Sequence, residues 1–266
     1  MTASGIDKDE ILRSVRAERK RTASFLRTLE PPQWDTVALP GWRIREVVAH
    51  LISLDVSALN GAILPLAFGS MEKLERWNDR QVAKRADRPP AELLLGVERW
   101  GARFARLARA IPSGLYHVAM PTLWGRGPGG LLIWSRAYDD WVHRQDMRRA
   151  LGLPEEDADL ASVASFLLRA GAARTLPELT TRGGTVEIRL DGVPIPRHVF
   201  DLTAGGLVEG GDGQADARIR APKPAPFVMA AAGRRPTFDE LRDRGDLDVE
   251  GDDTLAKEFL EAFRVV

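Results

Sequence analysis

The octapeptide DDWVHRQD, residues 139–146, sets three acids and a histidine around a single tryptophan. Asp139 stands four residues before His143, and on a helix turning about 100° per residue these two side chains lie within roughly 40° of each other. A carboxylate and an imidazole so placed can reach one ion, as the paired histidines of a metalloprotease helix do. Asp140, three before the histidine, is a rival for the same role, and Arg136 and Asp146 project near the same face. Trp134, Tyr138 and Trp141 project opposite, so the segment read alone is an ordinary helix with an aromatic core stripe and a solvated polar one.

His50 could be a second imidazole. Its neighbours Val47, Leu51 and Leu54 set it at the edge of a buried helix face, where a lone histidine is more often a hydrogen-bonded core residue. Glu46, four residues earlier, is an alternative carboxylate. Two imidazoles and one carboxylate would leave coordination positions open for water or substrate, the pattern of a catalytic rather than a structural metal site. Such a site requires the helices bearing His50 and His143 to face each other, as helices do in bundles that build metal sites in their cores.

The elements that must do this positioning are legible in outline. Apolar spacing predicts helices over 7–29, 43–60, about 90–111 (opened by Pro89–Pro90) and 130–151, the last stopped by Gly152 and Pro154. No strand is convincing in this half, which implies a four-helix bundle over residues 1–152. The string GRGPGG (125–130) matches GxGxxG but lacks the parallel strand–helix–strand setting, and reads as a loop ahead of the fourth helix. Beyond Pro154 one more helix (158–175) precedes a change of texture. GGTVEIRLDG alternates with the period of a strand, HVFDLTAGG, ADARIRA and LDVEG follow suit, and helical segments at 226–232, 237–243 and 253–264 interleave with them. Residues 153–266 are thus expected to form a small α+β domain, making the chain a two-domain α+β protein.

Composition narrows the chemistry. Basic and acidic residues balance at 38 each, which argues against a general nucleic-acid or anionic-membrane binder. Cysteine is absent, so disulfides, thiolate ligands and cysteine nucleophiles are excluded and any thiol must come from outside. The first residues carry no signal-peptide core, and the densest apolar run, ILPLAF (63–68), is far too short to span a membrane, so a cytoplasmic location is expected.

PGWRIREVVAHL (40–51) and YDDWVHRQDMRRALGLP (138–154) resemble the mycothiol-dependent maleylpyruvate isomerase family, and WNDRQVA (77–83) fits the same pattern. DLDVEGDDTLAKEFLEAF resembles the sterol-carrier-protein-like domain that accompanies its DinB-like four-helix bundle. The resemblance implies a divalent metal, zinc with nickel as the alternative, on His50, Asp139 and His143, with Asp146 orienting the helix-four histidine. Where the family typically has Glu, this chain has Asp139, one methylene shorter. It further implies a low-molecular-weight thiol, mycothiol, held as a metal-bound thiolate that adds to a small electrophile, for isomerisation or for S-transfer. Arg136 is the candidate to hold a substrate carboxylate, and Trp42 and Asn78 the candidates to line a cosubstrate cavity. The protein would act as a monomer or homodimer. The alternative is a non-catalytic ligand-binding or interaction protein with a degenerate metal site.

Overall fold

The computed structural model describes residues 6–62, 71–156, 160–210 and 213–265; the apolar run at 63–68 lies outside them. The chain forms two compact units. One comprises Ile6–Leu123 and Pro128–Glu155; the other takes in Trp124–Gly127 and the chain from Glu156 on.

The first unit is built on four long helices, α1 (Lys8–Arg27), α2 (Ile44–Leu59), α4 (Pro90–Ala110) and α6 (Gly130–Ala150), with α3 (Met71–Ala83) and α5 (Ser113–His117) between them. Helix α1 packs on α4 and α6, and α2 on α3, α4 and α6. Asp7 caps α1 by accepting from the Asp9 N–H at 2.8 Å, which satisfies one of the amides left free in a first turn. Pro90 opens α4 where its missing N–H costs nothing. Apolar faces of α1, α2, α4 and α6 close a core of Phe25, Leu26, Trp34, Ile44, Val47, Val48, Ile52, Leu93, Val97 and Met147.

Three features depart from the sequence reading. Residues 71–83 form a fifth sizeable helix where the pattern was irregular. Short strands also occur: β1 (Val37–Leu39) pairs antiparallel with β2 (Trp42–Arg43), and β3 (Ala119–Thr122) and β4 (Gly125–Pro128) follow α5. Strands of two to four residues are too short to display a two-residue period, and the glycine string expected as a loop forms β4 itself. Finally, α6 has no solvated stripe: Asp140, His143, Arg144, Gln145 and Asp146 are as buried as Trp134, Tyr138 and Trp141.

The second unit carries α7 (Leu160–Leu179), then a five-stranded mixed sheet in the order β7 (Gly206–Glu209), β6 (His198–Asp201), β5 (Thr185–Leu190), β8 (Ala217–Ala221), β9 (Asp248–Gly251). The central pair β5–β8 is parallel, in register from Val186 opposite Ala217 to Leu190 opposite Ala221; the other pairs are antiparallel. Helices α8 (Pro224–Ala231), α9 (Phe238–Asp243) and α10 (Asp253–Ala262) complete it. Phe200, Phe259 and Phe263 meet with ring centroids 4.8–5.7 Å apart and are fully buried. No helix among the described residues is long and apolar enough to cross a membrane.

Candidate metal centre

The start of α2 is fixed by Glu46. Its carboxylate accepts from the Arg43 backbone N–H at 2.7 Å and from the Arg43 guanidinium, closing the first turn. Glu46 is thereby committed to the helix cap, and the alternative in which it joins His50 is set aside. One turn further on, His50 is 6% exposed and points at α6. The two imidazole rings, His50 and His143, meet edge to face with centroids 5.1 Å apart.

Asp139 completes the cluster. The His50 Nε2 lies 3.7 Å from Asp139 Oδ2, and the His143 Nε2 lies 3.5 Å from Asp139 Oδ1. Among the described residues these three form the one group whose donor atoms all fall within 4.8 Å of one another with metal-ligand chemistry. Donors about 2.0–2.1 Å from a tetrahedral ion are about 3.4 Å apart, close to the two separations from Asp139 to the imidazoles, while the set as a whole spans up to 4.8 Å and would have to draw in around a small cation. Asp140, the other acid within helical reach of His143, faces the opposite way, its Oδ2 3.0 Å from Arg19 Nε.

Burial and neighbouring charge shift two of the three groups. Burial drives the His50 imidazolium to release its proton below the ordinary range, against the pull of Asp139 and with help from His143 and Arg136. Burial disfavours ionisation of Asp139, yet His143, His50 and Arg136 overcome it and hold the carboxyl well below its usual range. A neutral imidazole beside an ionised carboxylate is the state a divalent ion needs.

The other residues singled out from sequence are found as follows. The His143 Nδ1 sits 3.1 Å from Asp146 Oδ2, and Asp146 is 3% exposed. The Trp42 ring stacks obliquely on His50, centroid to centroid 5.1 Å. Asn78, on α3, is half-buried with its Oδ1 lacking a hydrogen-bond partner. Arg136, expected to hold a substrate carboxylate, is 5% exposed and is spent on the protein itself. Its guanidinium donates to Asp139 Oδ2 (2.5 Å), Asp55 Oδ1 (3.2 Å) and the Leu51 carbonyl (3.2 Å). Of the remaining histidines, His117 is exposed, and His198 lies in the other unit with its Nδ1 on the Pro196 carbonyl.

Residues 15–148 match the model of the mycothiol maleylpyruvate isomerase N-terminal domain, which spans the whole cluster and just over half the chain. The chain belongs to that family. Among solved structures, a mycothiol-dependent maleylpyruvate isomerase is similar at 19% identity and TM-score 0.55, covering 88% of this chain and 92% of that one. A histidine-to-alanine mutant of a mycothiol-dependent maleylpyruvate isomerase matches over the same shares at TM-score 0.54. At that identity the likeness is one of fold, and it extends over both units. No curated protein matches the sequence.

Two residues beside the cluster carry no signal in the sequence. Asp55 and Arg19 sit on predicted helices without any motif, yet Asp55 is fully buried and Arg19 is 8% exposed. Arg19 bridges Asp55 Oδ2 at 2.9 Å and Asp140 Oδ2 at 3.0 Å. Nearby, Arg144 pairs with Glu18 at 2.8 Å and reaches the Thr22 hydroxyl at 3.2 Å. A hint was available in hindsight: helical spacing from the His50 face puts charged Asp55 on a helix otherwise rich in apolar residues.

Proposed function

We propose that this protein is a cytoplasmic enzyme in which His50, Asp139 and His143 hold a divalent cation, zinc or nickel, and which uses a low-molecular-weight thiol, mycothiol, on a small electrophile. The convergence of two imidazoles and one carboxylate within 4.8 Å is the observation that carries this reading.

Three protein donors leave room for the sulfur of a thiol, which a bound Lewis-acidic cation would keep as thiolate near neutral pH. The chain contributes no cysteine of its own, so the nucleophile comes from the cosubstrate. Asp146, on the far side of the His143 ring, would accept from Nδ1–H and keep Nε2 as the free donor. Trp42 would form an apolar wall beside His50, shielding that edge from water. Isomerisation of an activated alkene and S-transfer to an electrophilic carbon both begin with this nucleophile. A thiol-consumption screen of mycothiol with candidate electrophiles, with and without added zinc or nickel, tests the reading. Metal-dependent turnover abolished by His143→Ala is the expected result. Consumption equal in wild type and variant contradicts it, and metal binding without any turnover leaves a ligand-binding protein.

A further inference from the structure

A chain of buried charges runs from the candidate ligand Asp139 to α2 and α1. Arg136 clamps Asp139 Oδ2, Asp55 Oδ1 accepts from the Arg136 Nε, and Arg19 closes on Asp55 Oδ2. Every member except Asp139 is nine-tenths buried or more. The far end of the chain depends on a glycine. A Cβ on Gly101, in α4, would come within 2.8 Å of the Arg19 Cγ and 3.0 Å of its Cδ, so the arginine stem passes through space that only glycine leaves open.

We infer that Asp55 is a positioning residue for the metal ligand Asp139, acting through Arg136 and itself held by Arg19 where that side chain crosses Gly101. The inference rests on the metal reading above. The short Asp139 side chain has one oxygen, Oδ2, fixed by Arg136, which leaves Oδ1 directed at the His143 Nε2 side of the cluster. Arg136 by itself would weaken the site, since it places a full positive charge against a ligand to a cation. Asp55 cancels that charge and holds the guanidinium in one orientation with the Leu51 carbonyl as the third anchor. Direct partners of a metal ligand typically change metal affinity about 10–100-fold when removed, which sets the upper bound for Asp55, one contact further out.

The test is Co2+ titration of metal-stripped, full-length protein, read by the visible d–d bands and by a competing chelator. Asp55→Asn, nearly isosteric, is expected to weaken Co2+ by about 5–10-fold, at or below the low end of the range for direct partners, and alter the bands. In an Arg136→Met background the same change should cost less than about threefold, because residues acting in series are not additive. Glu18→Gln breaks a buried ion pair to Arg144 on the same helix α6 and serves as the control for general loosening. Gly101→Ala, which displaces the Arg19 stem, is the second variant if Asp55→Asn fails to fold; it too should weaken Co2+ at least several-fold. Unchanged Co2+ affinity in Asp55→Asn, or an equal loss in Glu18→Gln, overturns the positioning role and leaves the metal site standing. A wild type that takes up no Co2+ overturns both.

Discussion

Replacing Asp146 by Asn keeps the shape of the side chain and removes the charge behind His143. In the structure the carboxylate is 3% exposed and 3.1 Å from the His143 Nδ1, so the contact is a buried, charge-assisted hydrogen bond. Such bonds contribute about 1.5–3 kcal/mol. Their loss behind a metal-ligating histidine typically lowers metal affinity about 10–100-fold, or about 1.4–2.8 kcal/mol, and the two estimates agree. The cause is electrostatic: an amide oxygen can still accept from Nδ1–H, but without the carboxylate's charge the ring is a poorer donor to a cation and is held less firmly with Nε2 turned toward Asp139, 3.5 Å away. Competition of zinc between the protein and a chromophoric chelator at neutral pH measures the effect, with the melting temperature of the metal-free protein as a check on folding. Unchanged zinc affinity in well-folded Asp146→Asn would refute the reasoning, because the carboxylate would then be a packing partner of the ring and nothing more.

Three further outcomes follow from the packing and charge of each unit. Glu18→Gln leaves the Arg144 guanidinium, 1% exposed, without its 2.8 Å partner and should destabilise the helical unit by about 3–5 kcal/mol in urea melts. Gly171→Ala places a methyl 2.1 Å from the Phe263 ring in a fully buried contact; overpacking of about 1–3 kcal/mol should outweigh the gain in helix propensity, lowering the midpoint of the second unit. Glu187 is buried on β5, and although burial raises its pKa, hydrogen bonds from Arg197, Arg189 and Arg218 dominate and bring it down to about 2. Because that value lies below the ordinary 4.5, its stabilisation is present above about pH 4.5 and lost as pH falls toward 2; Glu187→Gln should remove up to on the order of 3 kcal/mol and flatten the pH dependence of stability in that window. A variant as acid-sensitive as wild type would mean the three arginines stabilise nothing through this carboxylate.

The candidate ligand set was legible only by resemblance; spacing alone could not choose it. Helical periodicity placed Asp139 and Asp140 equally well on the face of His143, and Glu46 equally well before His50. What separates them is tertiary: Glu46 is taken by the Arg43 cap, and Asp140 by Arg19. The same limit explains α6, whose polar residues read as solvated because a charged side chain is ordinarily exposed. Here Glu18, Arg19 and Asp55 arrive from α1 and α2 to meet them, and no pattern within α6 announces partners on other helices. Arg136 shows the same limit: its position one turn before Asp139 suggested a hand for substrate, and nothing in the sequence announced that its guanidinium donates to Asp139, Asp55 and the Leu51 carbonyl. The long helices and β5 were legible because each spans several periods of its pattern, and the shorter β6, β8 and β9 stood out as β-prone runs beside glycine or turn residues; β7, which starts inside the Gly205–Gly206 turn with only Leu207 and Val208 to mark it, did not.

The central claim is that one divalent ion sits on His50, Asp139 and His143. The most direct measurement is elemental analysis of full-length protein purified without chelators, beside His50→Ala and His143→Ala prepared identically. About one equivalent of zinc or nickel in the wild type, lost from both variants while their helical content persists, is the expected result. A wild type that stays metal-free after incubation with either ion, or variants that retain a full equivalent, would contradict it.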